Sequence, residues 1–253
     1  FGCDFDEVRV AAEEYFEDWQ YLMARQRLPL ATPSDVVIYR LAARMKSSVG
    51  VALGGEGADE LLCGYGVQHW SGRDFATARL LKSASLTGDE RAAQFRQSML
   101  QQYWRTEFAS EADHYLALNS LIPSAVKPHM LQPWAWRLAE GDTAMFAYYD
   151  GLFAEREGES THRKQAAAIH RVNLESLLSR LDRATMEAGL EARVPYTDHV
   201  LVERMFRLPM RYKIDVAHHE LQPHLCSADL QQRGTLRSKR LLRTVAERLL
   251  PPE

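Results

Sequence analysis

Three acidic side chains lie on or directly after a glycine-rich turn in the stretch VALGGEGADELLCGY, which runs from Val51 to Tyr65. Glu56 lies among the glycines, and Asp59 and Glu60 come directly after them. A carboxylate can act as a general base, stabilise a developing charge or bind hard Mg²⁺ ions. The spacing allows a magnesium–phosphate site, with Asp59 as metal ligand and Glu56 facing a substrate, or an ordinary strand–turn–helix joint with acids at the helix start.

The glycines of this turn, Gly54, Gly55 and Gly57, follow the short apolar segment VGVAL. A short apolar run between turn signals is typical of a buried parallel strand. Ligands of open parallel sheets bind beyond the carboxyl ends of the strands, and glycines there let a backbone approach a ligand closely. A helix is predicted from Ala58 onward.

The elements around this turn follow from hydrophobic spacing. The opening DFDEVRV alternates acids with apolar residues and predicts a strand, whereas AAEEYFEDWQYLMARQ predicts a helix. Thr32 is predicted to be the N-cap of a second helix. From about Gly66 the pattern is mostly helical. The segment NLESLLSRLDRATMEA predicts a helix capped by Asn173 and stopped by Gly189, with a leucine face formed by Leu174, Leu177, Leu178 and Leu181. Further helices are predicted after LEARVPYTD and in KRLLRTVAERLL.

Composition excludes several functional classes. The chain has 253 residues and a formal net charge of −3, which gives no electrostatic reason to expect nucleic acid or an anionic membrane as partner. No apolar run is long enough to span a bilayer. Cys3, Cys63 and Cys226 are unpatterned, which fits a reducing, cytoplasmic compartment and neither a disulfide framework nor a zinc site. The adjacent His218 and His219 have poor spacing for two metal ligands on one helical face.

Four segments resemble the glutamine-dependent asparagine synthetase family. ALGGEGADELLCGY resembles that family's LSGEGADELFGGY, and PLATPSDVVIYRLAARMKSSVGV resembles the segment just before it. Downstream, NLESLLSRLDRATMEAGLEARVPYTDHVLVERMFRLPMRYKI resembles the region around the family's EARVPFLD motif, and SKRLLRTVAERLLPPE resembles its KxxLR…LP segment. The four segments occur in the family's order across Pro29 to Glu253, and only about His69 to Arg171 is generic.

The resemblance implies an α/β fold of the ATP-pyrophosphatase type (adenine nucleotide alpha hydrolase-like), with a partial parallel sheet and a large helical C-terminal portion. We expect one partial synthetase domain over residues 1–253, with a nucleotide-binding part in 1–66 and a mainly helical part in 67–253. The implied enzyme is a ligase that uses ATP and Mg²⁺ to convert aspartate to asparagine through a β-aspartyl-adenylate. Ammonia would come from glutamine through a separate glutaminase domain. A homo-oligomer is left open.

The resemblance also assigns roles to individual residues. Gly54 and Gly55 would contact the nucleotide, and Glu56 would support formation of the adenylate and its attack by ammonia. Asp59 would hold Mg²⁺ on pyrophosphate. Lys239 would neutralise charge that develops on the phosphates, although a lysine at a helix start is by itself usually a solvent-exposed side chain.

A second group of residues lies in the region around LEARVPYTD. Glu191 and Arg193 are expected on a loop that packs on the active site, where Arg193 positions substrate or holds Glu191, but an ordinary ion pair is the commoner role of such residues. Asp182 and Arg183 are expected to be structural, holding their helix against the nucleotide-binding part. His199 is expected to be a solvated residue at a helix start.

The sequence also departs from the family pattern. Gly54 replaces the usual serine, and Leu62 and Cys63 stand where Phe and Gly are usual. The family's SGGxDSS phosphate loop and its glutaminase cysteine have no counterpart in these residues, so we expect an incomplete synthetase domain that is inactive alone. Two alternatives stay open: a related amide-forming enzyme, of the β-lactam synthetase or peptide macrocyclase type, and a non-catalytic remnant. Glu56 favours the asparagine-forming type over the first of these. The acceptor carboxylate and the nitrogen donor are not fixed by the sequence.

Overall fold

The computed structural model describes residues 5–30, 32–83, 89–216 and 225–251. The chain divides into two compact units. The first comprises Phe1–Leu61, His170–Arg207 and Glu247–Glu253, and the second comprises Leu62–Ile169 and Leu208–Ala246. The division into functional parts at residue 66 stays a prediction, because compactness alone does not define a functional domain.

Helices dominate the described residues. In chain order they are α1 (Ala12–Gln26), α2 (Ser34–Lys46), α3 (Ala58–Leu62), α4 (Gly66–Trp70), α5 (Gly72–Ser83), α6 (Glu90–Tyr103), α7 (Glu111–Asn119), α8 (Lys127–Met130), α9 (Pro133–Leu138), α10 (Thr143–Ala154), α11 (Thr161–Glu187), α12 (His199–Arg207), α13 (Ser227–Gln232) and α14 (Arg240–Leu249). The strands are β1 (Val51–Leu53), β2 (Glu191–Arg193), β3 (Asp215–Val216) and β4 (Leu236–Arg237). Within the described ranges, no helix has the length and apolar character needed to cross a membrane. A mostly helical chain with a small parallel sheet is consistent with the predicted α/β class.

In the first unit, α1 and α2 pack around a small hydrophobic cluster of Leu22, Leu30 and Val36. The apolar residues of both helices recur at helical spacing, so one face of each is buried. The Arg40 guanidinium donates to the Asp18 carboxylate and adds a polar tie between the two helices. Both helices were predicted from the sequence, and both predictions are confirmed. The predicted N-cap of α2 is wrong: Pro33 precedes the helix without a side-chain cap, because the Thr32 hydroxyl donates to Asp35 Oδ1 instead.

Strands β1 and β2 form a two-stranded parallel sheet with Val51 opposite Glu191 and Leu53 opposite Arg193. The predicted parallel strand is therefore confirmed, but its predicted burial is wrong. Val51 is 43% exposed and Leu53 is 76% exposed. Among the described residues β1 pairs with one strand, so the face that carries these two side chains lacks the cover of a larger sheet.

Two other predictions about the first unit are wrong. Residues 5–10 form no strand, because their alternating pattern finds no partner strand in the described part of the chain. Asn173 does not cap a helix, since α11 already begins at Thr161 and continues through buried residues such as Ile169. The predicted stop is confirmed: Gly189 follows the helix end with a φ of +72°.

The second unit contains several helical clusters and the antiparallel pair β3–β4. One hydrophobic cluster contains Cys63, Ile214, Leu225, Leu230 and Leu236. Four of these five residues come from the stretch of chain before α14. Cys63 is fully buried, and this burial raises the pKa of its thiol to about 12. Cys63 therefore serves as a small packing residue in this cluster.

Candidate active site

The glycine turn after β1 contains one glycine that the fold requires and two that it does not. Gly57 has a φ of +92°, and a Cβ atom there would lie 3.2 Å from Thr197 and 3.3 Å from Tyr196. At Gly54 a Cβ atom would make ordinary contacts, and at Gly55 it would meet nothing within 4 Å. Gly55 therefore leaves open space beside the backbone, as the predicted nucleotide contact needs.

The backbone of Gly54 is already partly used by the sheet. Its N–H donates to the Arg193 carbonyl over 2.8 Å, which extends the ladder between β1 and β2 by one bond. The nucleotide contact predicted for Gly54 would consequently fall to its Cα or carbonyl, whereas the Gly55 backbone carries the more open surface. The serine that the family usually has at position 54 would fit here, since the nearest atoms would lie 3.5 Å from its Cβ.

The Glu56 carboxylate contacts the cation of Arg180, a residue that is not among the predicted site residues. Arg180, on α11, donates from Nη2 to Glu56 Oε1 over 3.4 Å, and the two side chains are 14% and 23% exposed. A partial signal for Arg180 is present in the sequence. It follows Leu177 by three residues and so flanks the leucine face of the helix, where a charged side chain needs a partner. Which partner it takes depends on long-range folding and is not visible in the sequence.

The other two acids of the turn lie in the first turn of α3, as predicted. Asp59 is partly exposed, whereas Glu60 is 2% exposed and faces the interior. Mg²⁺ needs only one or two carboxylate ligands when phosphates and water complete its coordination shell, so a single carboxylate such as Asp59 is compatible with a magnesium site. Within the described residues no group of three or more His, Cys, Asp and Glu side chains could hold a metal ion. His218 and His219 lie outside those residues.

The predicted substrate loop forms the strand that pairs with β1. Arg193 Nε donates to Glu191 Oε1 over 2.8 Å, with side chains 66% and 53% exposed. The ordinary ion pair considered from the sequence is therefore present, and it lies at the surface. The bond between the Arg193 carbonyl and Gly54 keeps this pair close to the glycine turn. A role of Glu191 and Arg193 in substrate binding stays a prediction.

Lys239 belongs to the second unit, where it precedes α14 with a φ of +55°. This left-handed conformation is unusual for a residue with a side chain. Its carbonyl accepts a hydrogen bond from Arg243 N–H, and the next residue, Arg240, donates its own N–H to the Lys213 carbonyl. The peptide unit between Lys239 and Arg240 thus has both its carbonyl and its N–H hydrogen-bonded. Its predicted role at the phosphates stays a prediction.

Two further expectations concern helix ends. Asp198 accepts the Leu201 N–H over 3.0 Å, so it caps α12 and His199 is an exposed residue at the helix start, as predicted. Arg183 is exposed and donates to Ser179 of its own helix. Asp182 is exposed as well, so the structural role expected of both residues against the nucleotide-binding part is not seen.

Comparison with known proteins agrees with the motifs. The family model described as Asparagine synthase matches residues 1–253. The curated protein "Asparagine synthetase [glutamine-hydrolyzing] 1" of Bacillus subtilis (strain 168) is 27% identical over 218 residues, which cover 81% of this chain and 32% of that relative. The chain thus spans about a third of the length of the curated relative it matches. No solved structure matches the chain. The match of the family model over the whole sequence shows that the chain belongs to the asparagine synthase family.

Proposed function

We propose that the full-length protein catalyses ATP-dependent formation of asparagine from aspartate through a β-aspartyl-adenylate. The observation that carries this proposal is the family match over residues 1–253. Pyrophosphate would leave when the adenylate forms, and AMP would leave when ammonia attacks it. Ammonia would come from glutamine, through a glutaminase domain outside these residues. ATP would be a substrate, Mg²⁺ a cofactor and the cytoplasm the compartment. Nucleotide binding in an ATP-pyrophosphatase-type fold, by residues 1–66, is part of the same proposal.

The residues of the glycine turn support this chemistry. The open side of Gly55 provides room for a nucleotide against the backbone, and Gly54 continues that surface. Attack by ammonia leaves an extra proton on the nitrogen, and Glu56 offers a carboxylate that can accept it. Asp59 would hold Mg²⁺ on the pyrophosphate. Lys239 would supply a compact positive charge for the phosphates.

Pyrophosphate release by the full-length protein tests the proposal. The reaction would contain ATP, Mg²⁺ and ammonia, with and without aspartate, and product analysis would identify asparagine. We expect release that requires aspartate and that falls about 100-fold in Glu56→Gln, because loss of a positioned general base typically costs about 10²–10⁴-fold. Glu175→Gln is the matched control, since Glu175 is an exposed glutamate on α11.

Other outcomes contradict the proposal in distinct ways. Release that ignores aspartate but requires another carboxylate would favour a related amide-forming enzyme. No release with any carboxylate would favour a non-catalytic protein. An equal loss of pyrophosphate release in Glu56→Gln and Glu175→Gln would show that Glu56 has no catalytic role. The proposed reaction class would still stand.

A further inference from the structure

Arg180 connects the glycine turn to the start of α2. One amino group of its guanidinium, Nη1, donates to Ser34 Oγ over 3.1 Å and to Thr32 Oγ1 over 3.3 Å. The other, Nη2, donates to Glu56 Oε1 over 3.4 Å. All of these residues belong to the first unit. The planar guanidinium therefore spans two segments that are distant in sequence and presents a fixed cation to one carboxylate.

The partners of Arg180 are themselves held in place. Thr32 donates its hydroxyl to Asp35 Oδ1 over 2.8 Å, and its oxygen lies 2.8 Å from the Ser34 hydroxyl. Asp35 is 4% exposed, so this carboxylate is nearly sealed from solvent. Thr32 thus links a buried acid to the guanidinium. The chain of contacts runs from Asp35 through Thr32 and Arg180 to Glu56.

The third nitrogen of this guanidinium is also informative. Arg180 Nε is buried and has no hydrogen-bond partner in the described structure. Leaving a buried charged donor unsatisfied is costly, so packing alone does not explain an arginine here. The end of α11 is tied to α1 by other groups, because Tyr21 and Arg25 both donate to Glu187 over 2.8 Å. The contact that distinguishes Arg180 from these groups is its hydrogen bond to the Glu56 carboxylate on the glycine turn.

We propose that Arg180 is a positioning residue that fixes the Glu56 carboxylate for the reaction of the glycine turn. This inference rests on the proposed function, because it gives Glu56 a reacting partner. The two Nη groups are needed together: one is anchored on the Thr32–Ser34 segment while the other holds Glu56. A lysine carries the same charge on a single nitrogen and cannot reproduce this fork.

The experiment compares the full-length protein with Arg180→Ala, Arg180→Lys and the control Arg183→Ala. Arg183 is a suitable control because it lies on the same helix and its side chain bonds to Ser179. Hydrogen exchange of a peptide covering residues 51–61 reports the order of the glycine turn without requiring activity. Steady-state pyrophosphate release reports kcat and the KM for ATP.

We expect Arg180→Ala to raise exchange in the 51–61 peptide several-fold and to lower kcat about 100-fold, the order of loss expected for a misplaced catalytic group. The KM for ATP should change by less than about 3-fold, because Arg180 acts through Glu56 and not on the nucleotide. Added guanidinium ion should restore part of kcat in Arg180→Ala. Arg180→Lys should show the same changes to a smaller extent, and it carries the test if the alanine variant does not fold.

The outcomes separate this inference from the proposed function. An inactive wild-type protein would refute the proposed function, and exchange in the 51–61 peptide would then decide whether Arg180 holds the turn. An active wild type with unchanged kcat in Arg180→Ala would overturn the inference alone. Unchanged exchange in both Arg180 variants would overturn it as well. The inference would also be overturned if Arg180→Ala and Arg183→Ala lost kcat to the same extent and guanidinium ion restored neither. That pattern would indicate damage to the helix.

Discussion

Glu56 in the first unit and Asp74 in the second are both held by hydrogen bonds, but the charges of their partners differ. Glu56 faces the Arg180 guanidinium and keeps 23% of its side chain exposed. Asp74 is fully buried and accepts bonds from neutral donors: the Tyr103 hydroxyl over 2.8 Å, the Ser227 hydroxyl over 2.5 Å and the Ser227 N–H over 3.0 Å. Glu56 thus has a cationic partner and a solvent-accessible side, whereas Asp74 is enclosed by a closed shell of neutral hydrogen-bond donors.

This difference separates a carboxylate that can react from one that can only hold the chain. Glu56 can reach a ligand without leaving its partner, because part of its surface is open. Asp74 has its oxygens occupied and no exposed surface, so it serves as an anchor. It ties α5 to the first residue of α13, the helix that precedes β4 and Lys239. Burial and saturation of hydrogen bonds, more than residue type, therefore indicate which acids of this chain are candidates for catalysis.

The largest contrast is expected in stability. Asp74→Ala leaves the Tyr103 hydroxyl and two groups of Ser227 without their acceptor inside the protein. This loss should destabilise α13 by about 3 kcal/mol. Glu56→Ala removes a partly exposed contact at 3.4 Å and should cost less than about 1 kcal/mol. Native-state hydrogen exchange measures the opening free energy, from the α13 amides in Asp74→Ala and from the amides of the glycine turn in Glu56→Ala.

The comparison fails if the two variants behave alike. Slow exchange of α13 in Asp74→Ala, close to the wild-type rate, would show that the closed shell of Asp74 contributes little. An unrelated buried polar substitution such as Ser98→Ala controls for general loosening, because Ser98 lies in α6 and has no part in the Asp74 shell as described.

A second contrast is expected in the pH dependence of stability. Burial raises the pKa of Asp74 from 3.8 to about 6, against the opposing effects of its bonds to Ser227 and Tyr103 and of the Arg73 charge. Between these two values the folded protein keeps the proton and the unfolded chain releases it, so this contribution to stability is largest at low pH and is lost as pH rises through about 6. From about pH 4.5 to about pH 7 the loss should be about 2 kcal/mol.

Asp74→Asn isolates this contribution, because the amide does not titrate. The difference in unfolding free energy between wild type and Asp74→Asn should change by about 2 kcal/mol between about pH 4.5 and about pH 7, with the wild type relatively more stable at the lower pH. Urea unfolding at both values measures it. A difference that is constant with pH, or that changes in the opposite direction, would contradict the raised pKa.

The sequence allowed much of the local structure of both regions to be predicted. The apolar spacing of α1, α2, α12 and α14 and the glycine after α11 were sufficient, because helices depend mainly on nearby residues. The parallel strand before Gly54 was also predicted from its apolar run. The strand predicted for DFDEVRV does not form over its described residues, 5–10, because a strand exists only with a partner, which local alternation does not provide.

The candidate site was predictable only where it depends on nearby residues. The acids at the glycine turn and the ion pair of Glu191 with Arg193 could be identified, since each set lies within a few residues. The contact of Arg180 with Glu56 joins positions separated by 124 residues, and the Asp74 bond to Ser227 joins positions separated by 153. Such pairings follow from tertiary packing, so the positioning of both carboxylates became visible only in the structure.

The smallest expected effect on stability is a contrast between two glycines of the glycine turn, Gly57 in a closely packed position and Gly55 in an open one. Gly57→Ala should cost about 1 kcal/mol, because Gly57 has a φ of +92° and a Cβ atom would lie 3.2 Å from Thr197. Gly55→Ala has open space around it and should change stability by less than about 0.5 kcal/mol. If a nucleotide occupies that space, Gly55→Ala should still weaken ATP binding in calorimetric titration of the full-length protein. Unchanged affinity in Gly55→Ala would mean that the open side of the turn is simply solvated, and that the Glu56 region faces a ligand from another direction.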